Sequence, residues 1–439
     1  RIRNFMKNIR ILAAHHDTLD AKSYTTVLFE KILPILRSKK NVHLTWLIHK
    51  VEKIQPMDID SNTTILDIHD FKNAVEVIRK VKPNLVYALP GREHVGYALM
   101  LAARFLNVPV IGGGLGRQFF TKKKHSSTSV NPISQFLQNL INTQNRIGFL
   151  SKLKFYIYKN MFLIRTQKTV KIDTTQIISL SYSFITNYFF KSVSEGWRGF
   201  DARFAADLNF LDGELMKKPL IDAGWKDSSL MVVGNPLYDD VFQQSESVES
   251  ENKKRDATNV LFITVNMFGF NPKWIMPKRN TMTKKIVSDI SKEKNMSLKI
   301  KIHPTGETIS EYESMIEHLD ASVSIHQKED LEQLVEWADV VISTSTSTAL
   351  IYALLAKKPI IIHNCFELDY DELTQRGLVI ECKELSDIVP TIKKAIGSEL
   401  PTKKIDELVN DVLFKLDGKA SERISDSIIR LLDNIEQKN

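Results

Sequence analysis

Two stretches decide how this chain reads: Leu298-Lys299-Ile300-Lys301-Ile302-His303-Pro304, and further on Asp339-Val340-Val341-Ile342 followed by Ser343-Thr344-Ser345-Thr346-Ser347-Thr348. Each begins as an apolar run of strand length. One stops at a His-Pro pair, the other at an unbroken run of hydroxyl side chains that enters an apolar helix from Ala349 to Ala356. Hydroxyls and free backbone N–H groups gathered at a helix N-terminus make a seat for phosphate. His303 ends the neighbouring predicted strand, at the carboxyl edge where open parallel sheets take ligands. Either motif alone has an ordinary reading, since Ser/Thr runs cap helices and His-Pro pairs end strands. Together, at consecutive strand ends, they predict a site for a nucleotide mono- or diphosphate.

Working outward, strands and helices alternate on both sides of this pair. Before it, strands are predicted over Asn8–Ala14, Val42–His49, Thr64–Ile68, Pro83–Leu89, Val108–Ile111, Gln176–Ser181, Ala206–Phe210 and Leu230–Val233. Helices fall over Tyr24–Leu36, Phe71–Val81, Val95–Leu106, Ser183–Lys191 and Gly213–Ala223. The glycines Gly112-Gly113-Gly114 are expected to release the fifth strand into a loop where backbone comes close to a ligand. Gln243 to Thr258 is polar and aperiodic, and reads as a linker. Alternation then restarts with strands from Asn259, Leu298, Ala321, Val340 and Pro359, and helices over Leu385–Ile396, Ile405–Leu416 and Ala420–Ile435 close the chain. The pattern predicts an α/β protein with two Rossmann-like αβα domains: residues 1–242, with a basic insertion at about 118–172, then the linker at 243–258, then 259–439 with the closing helices.

At 439 residues and 43% hydrophobic, the chain can bury two cores. Cys365 and Cys382 make neither a disulfide framework nor a metal pattern, which points to a reducing, cytoplasmic compartment. The chain opens at Arg1 with no methionine and no apolar leader, which reads as a trimmed or incomplete start. The net charge of +8 is uneven: from Val95 to Ile172 there is no Asp or Glu, while twelve Lys and Arg residues lie there. Within that lobe Gly148 to Ile164 interleaves lysines with Phe149, Leu150, Phe155, Tyr156, Tyr158, Met161, Phe162 and Leu163. Such a helix either lies in an anionic membrane surface or packs as a core helix with a basic outer side. The lobe could equally attract an anionic acceptor. Nucleic acid is the weaker expectation, because no recognised module accompanies the charge.

Lys82-Pro83-Asn84-Leu85-Val86 through Ile111-Gly112-Gly113-Gly114-Leu115-Gly116-Arg117 resembles a passage of the nucleotide-sugar 2-epimerases, and Ala206-Asp207 through Gly234-Asn235-Pro236 resembles another. The order of elements is similar to the GT-B fold shared by those epimerases and by nucleotide-sugar glycosyltransferases. The resemblance is one of pattern and covers most of the chain outside Thr121 to Val170. The carboxylates expected of an epimerase are missing: Gly91-Arg92, Gly113-Gly114-Leu115 and Ser345-Thr346-Ser347-Thr348-Ala349-Leu350 stand in their places. Removing a proton from a sugar carbon needs a positioned base. The nearer likeness is therefore to capsule-type transferases, which include sialyl-, polysialyl- and Kdo transferases and CDP-glycerol glycerophosphotransferases. These pair an HP motif with a Ser/Thr motif, matched here by His303-Pro304 and Ser343 to Thr348. Their acidic motif has a partial echo in Leu211-Asp212-Gly213-Glu214.

The resemblance implies that a sugar moves from a nucleotide-sugar to a surface-polysaccharide or glycolipid acceptor. His303, Ser345, Thr346, Ser347 and Thr348 would stabilise charge on the departing nucleotide, helped by the helix dipole. Glu367 and Asp369 would hold the ribose, with Lys301 and Lys357 flanking. The acceptor base would come from the opposite domain: His16 and Asp17, with His15 beside them, then Glu93, and after these Asp212. No metal and no cofactor beyond the nucleotide-sugar substrate is expected, since no carboxylate pair clusters. The expected location is cytoplasmic, peripheral on the inner face of the cell membrane. Three alternatives stay open: a UDP-GlcNAc 2-epimerase-like isomerase, a CDP-glycerol-type glycerophosphotransferase, and a non-catalytic polyanion-binding relative.

Overall fold

A computed structural model describes residues 8–14, 24–48, 60–88, 94–115, 146–178, 202–240, 257–265, 272–304, 307–319, 323–344, 347, 349–363 and 372–438. The first sheet takes β1 (Asn8–Ala14), β2 (Asn41–Ile48), β3 (Thr63–Asp67), β4 (Leu85–Tyr87), β5 (Val110–Leu115), β6 (Leu208–Leu211) and β7 (Leu230–Val232). These lie in the order β3-β2-β1-β4-β5-β6-β7, every pairing parallel. The second sheet takes β8 (Thr258–Ile263), β9 (Met296–Lys301), β10 (Val323–His326), β11 (Val340–Ser343), β12 (Ile360–Ile362) and β13 (Ile380–Glu381), in the order β10-β9-β8-β11-β12-β13. It too is parallel throughout. A parallel strand needs both faces covered, and runs such as Val340-Val341-Ile342 and Ile360-Ile361-Ile362 are buried. Strand order reverses between β1 and β4 in one sheet and between β8 and β11 in the other. The predicted α/β architecture of two Rossmann-like sheets is the observed one.

Helices α1 (Tyr24–Lys39), α2 (Ala74–Val81), α3 (His94–Phe105) and α4 (Arg146–Thr169) cover the first sheet. The second carries α5 (Pro272–Ser291), α6 (Ile309–Ile316), α7 (Leu331–Trp337), α8 (Ala349–Leu355) and α9 (Ile388–Ile396), followed by α10 (Thr402–Leu413) and α11 (Ala420–Lys438). Local signals fix several boundaries. Helix α2 starts at Ala74 rather than at the expected Phe71, because the Asn73 side chain accepts the Glu76 N–H at 3.1 Å and Glu76 accepts the Lys72 N–H at 2.9 Å.

Two sequence expectations are corrected. The glycines after Ile111 do not release the strand: β5 runs on to Leu115, with a register shift between Gly112 and Leu115. A Cβ at Gly113 would sit 3.5 Å from Tyr87, ordinary contact with a core side chain rather than space for a ligand. Residues 174–178 are helical, not the start of a strand. The Asp173 carboxylate accepts the Thr175 N–H at 2.9 Å, and this local cap outweighs the β-branched residues behind it.

The last helix crosses back to the first sheet. Asp239 accepts the backbone N–H groups of Ala420 and Ser421 at 3.0 and 2.9 Å and the Ser421 hydroxyl at 2.6 Å, so one buried carboxylate caps α11. Ile424, Ile428 and Leu432 then pack in one core with Phe29, Ile32 and Leu36 of α1. Each such side chain contributes roughly 1.5–3 kcal/mol by leaving water. The closing helices placed with residues 259–439 from sequence are thus divided, α11 lying against the amino-terminal half.

Candidate functional site

The seat predicted from sequence maps to one edge of the second sheet. β9, β8 and β11 are consecutive neighbours and parallel, so His303, Thr264 and Thr344, which follow them, share the carboxyl edge at the point where strand order reverses. With strands roughly 4.8 Å apart, the His303 and Thr344 positions lie about 10 Å from each other, the reach of a diphosphate.

The His303-Pro304 turn is braced from below. Its His303 N–H donates to the Glu307 Oε2 at 2.7 Å and to Thr264 Oγ1 at 2.9 Å. The Thr264 hydroxyl donates to the same Oε2 at 2.5 Å, and Tyr312 Oη donates to Oε1 at 2.7 Å. Arg279, 1% exposed, lies 3.8 Å from Oε1 and pairs with Glu311 at 2.5 Å. Gln327 Nε2 donates to the Glu307 carbonyl at 2.7 Å, and Lys301 Nζ donates to the Gln327 carbonyl at 2.6 Å. A buried carboxylate is tolerated only when its lone pairs are filled and a cation stands near. Glu307 meets both conditions, tying the ends of β8, β9 and β10 to one turn. Burial and the neighbouring Glu307 together raise the Tyr312 hydroxyl, so it stays protonated and donates.

On the β11 side, Thr344 Oγ1 is fully buried and has no partner among the described residues, and the buried Ser347 Oγ has none either. Buried hydroxyls are nearly always paired, so two orphans at one strand end mark an unfilled polar position. Helix α8 is only seven residues long, and its dipole adds little beyond the first-turn amides.

His363 joins this edge, and sequence reasoning missed it. It follows β12, its N–H donates to the Ser343 carbonyl at 3.0 Å, and it is buried. Its Nδ1 lies 2.8 Å from the Cys382 carbonyl, which can only accept. The neutral ring therefore carries its hydrogen on Nδ1 and a lone pair on Nε2. A histidine directly after an Ile-Ile-Ile strand was the available signal.

Of the other predicted site residues, Ser345, Thr346, Thr348, Glu367 and Asp369 lie outside the described residues, as do His15, His16, Asp17 and Glu93. Lys301 braces the loop as given above, while Lys357 follows the C-terminal end of α8, 4.0 Å from Asp406 and away from the carboxyl edge. His94, beside Glu93, is a core residue: burial, with Lys159 adding to it, pushes its pKa down to about 3.

Asp212 follows β6 at the carboxyl edge of the first sheet. It is 6% exposed; Asn235 Nδ2 donates to its Oδ2 at 2.8 Å and its Oδ1 has no partner. Burial pushes its pKa up to about 7, against the Asn235 hydrogen bond that favours the charged form. The next residue, Gly213, meets α10 so closely that a Cβ would fall 2.3 Å from the carbonyl oxygens of Asp411 and Val412. Asp212 is thus enclosed beside α10. Among the described residues no group of three or more His, Cys, Asp or Glu side chains is placed to hold a metal ion.

No protein-family model matches the chain, and no curated protein matches it. Solved structures do. The chain is similar to Staphylococcus aureus MnaA in complex with UDP (13% identity, 97% of each chain covered, TM-score 0.53). It is similar to the calicheamicin glycosyltransferase CalG4 (13% identity, 98% of this chain and 99% of that one, TM-score 0.53). It is also similar to the wall teichoic acid polymerase TagF (8% identity, 98% of this chain and 90% of that one, TM-score 0.54). At these identities the likeness concerns fold. The structural neighbours are GT-B glycosyltransferases and UDP-GlcNAc 2-epimerases, and this chain shares their architecture of two Rossmann-like domains.

Proposed function

We propose that the chain is a nucleotide-sugar-dependent glycosyltransferase whose second sheet holds the nucleotide diphosphate. The observation that carries the reading is the pair of unpartnered buried hydroxyls, Thr344 Oγ1 and Ser347 Oγ, on the same sheet edge as the braced His303. A nucleotide phosphate would supply the missing acceptors. As the glycosidic bond breaks, negative charge grows on the leaving phosphate, and donors fixed in advance lower that barrier. Ser345, Thr346 and Thr348 extend the same run, Glu367 and Asp369 are assigned to the ribose, and His363 on the same edge would accept from a ligand hydroxyl through its Nε2 lone pair. The acceptor, a surface-polysaccharide or lipid-linked glycan, would approach from the first sheet and lose its proton to His16, Asp17 or Glu93, which follow the two strands at that sheet's reversal point. Asp212 has a matched pKa but is enclosed, and acts only if the junction opens. No cofactor beyond the substrate enters, and the enzyme works at the cytoplasmic face of a membrane.

The test is a thermal-shift screen of CMP, UDP, CDP and GDP against the purified protein and against His303→Ala. Stabilisation by one nucleotide that disappears in the variant supports the seat; no stabilisation by any of the four overturns it. Incubating the matching nucleotide-sugar without acceptor separates the epimerase alternative, which would change the sugar while leaving the nucleotide attached. A CDP-alditol would replace the sugar nucleotide as ligand in a glycerophosphotransferase.

A further inference from the structure

Helix α4 is apolar on two sides, and among the described residues only one of them is covered. At 100° per residue, Phe162, Leu163 and Thr166 fall on one arc and are buried: Phe162 and Leu163 sit in the first core, and Thr166 Oγ1 accepts the Ala74 N–H at the start of α2 at 3.0 Å. Tyr158 beside them donates to the carbonyls of Ile68 and Phe71. Tyr158, Phe162 and Leu163, part of the stripe that sequence could assign to a membrane, are therefore core. The opposite arc carries Lys154, Ile157, Met161, Arg165 and Lys168, all exposed, with Ile157 at 53% and Met161 at 41%. Two large apolar side chains one turn apart thus stand in water among three cations. In sequence no acidic residue lies between Val95 and Ile172; Asp67 and Asp70 come near Tyr158 from the preceding segment.

We propose that this outer face of α4 docks on an anionic phospholipid bilayer, the helix lying flat with Ile157 and Met161 entering the acyl boundary while Lys154, Arg165 and Lys168 reach the phosphate level. Charge alone would suit any polyanion. The exposed apolar pair decides for lipid, because a soluble polyanion offers nothing to bury it. Long cationic side chains supply the needed reach, laying their methylene stems along apolar surface and keeping their charge in the headgroups. Among the described residues no helix is long and apolar enough to cross a membrane, so the contact is adsorption. This inference rests on the geometry of α4 and is independent of the transferase reading.

The test is sedimentation of the full chain with vesicles of phosphatidylcholine alone and of phosphatidylcholine mixed equally with phosphatidylglycerol. Binding is expected only to the mixed vesicles and should fall with salt. The triple variant Lys154→Gln, Arg165→Gln, Lys168→Gln should lose roughly a hundredfold in affinity, at about fivefold per charge. The pair Ile157→Ser, Met161→Ser should also bind more weakly at unchanged charge. Both variants alter exposed positions, so an unchanged melting temperature checks that each remains folded. No binding to anionic vesicles overturns the proposal. So does equal binding to heparin with no effect of the serine pair, which would make the face a polyanion site. So does a dimer in light scattering that the serine pair dissolves, which would make it a contact between copies. Nucleotide stabilisation is read separately, so loss of vesicle binding leaves the nucleotide seat standing.

Discussion

The Glu307 carboxylate accepts the backbone N–H of His303 at 2.7 Å while both residues sit in the turn that leaves β9. A side chain four positions downstream thereby sets the path of the histidine it serves. Glu307→Gln keeps the shape but halves the acceptors and leaves Arg279 with Glu311 as its remaining carboxylate. The expected loss is about 2–4 kcal/mol of folding stability, read by urea denaturation. A drop in nucleotide stabilisation should accompany it, since a loosened turn no longer holds His303 in place.

Thr344→Val separates binding from stability. The hydroxyl is buried without a partner, so replacing it by a methyl of the same shape should leave the free protein as stable or about 1 kcal/mol more stable. The nucleotide that stabilises the parent should bind roughly tenfold more weakly, the value of one lost hydrogen bond to a charged group. A melting curve with and without nucleotide reads both. Unchanged nucleotide affinity would remove Thr344 from the seat.

Asp212 gives a pH signature. Its pKa in the folded chain, about 7, lies above the roughly 3.9 of an unfolded carboxyl. The folded state therefore holds more protons between those values. The carboxyl does not oppose folding below about pH 4, begins to do so as pH rises, and opposes it fully above about pH 7. Relative to wild type, Asp212→Asn should gain up to about 4 kcal/mol between pH 4 and pH 8. Denaturation at the two pH values measures it; a constant difference would mean the carboxyl is not desolvated.

Gly213→Ala should fail for a steric reason. Its Cβ would fall 2.3 Å from two backbone oxygens of α10, which cannot yield as a flexible side chain would. A loss of more than about 2 kcal/mol is expected, with the contact between the halves disturbed. Far-UV circular dichroism with chemical denaturation would detect it.

Much of this protein is legible before folding is considered. Val340 to Ile342 and Ile360 to Ile362 read as buried parallel strands because a strand covered on both faces has no polar alternation to lose. His303-Pro304 and the hydroxyl run were visible because composition changes abruptly where a strand stops. Other features depend on partners distant in sequence. Nothing local in Ala420 to Lys438 says that α11 packs on α1, or that Asp239 caps it. Glu307 looks like a surface glutamate until Thr264 and Arg279 arrive from two separate segments. Both faces of α4 carry large apolar side chains, and only contact with α2 and α3 makes one of them core. Sequence by itself determined most of the strands and the two motifs, since strand burial and chain breaks are written in neighbouring residues, though it misread 176–178 and passed over β13. The tertiary structure alone decided which polar groups are satisfied and which are left open, because that depends on what the rest of the chain brings within hydrogen-bonding distance.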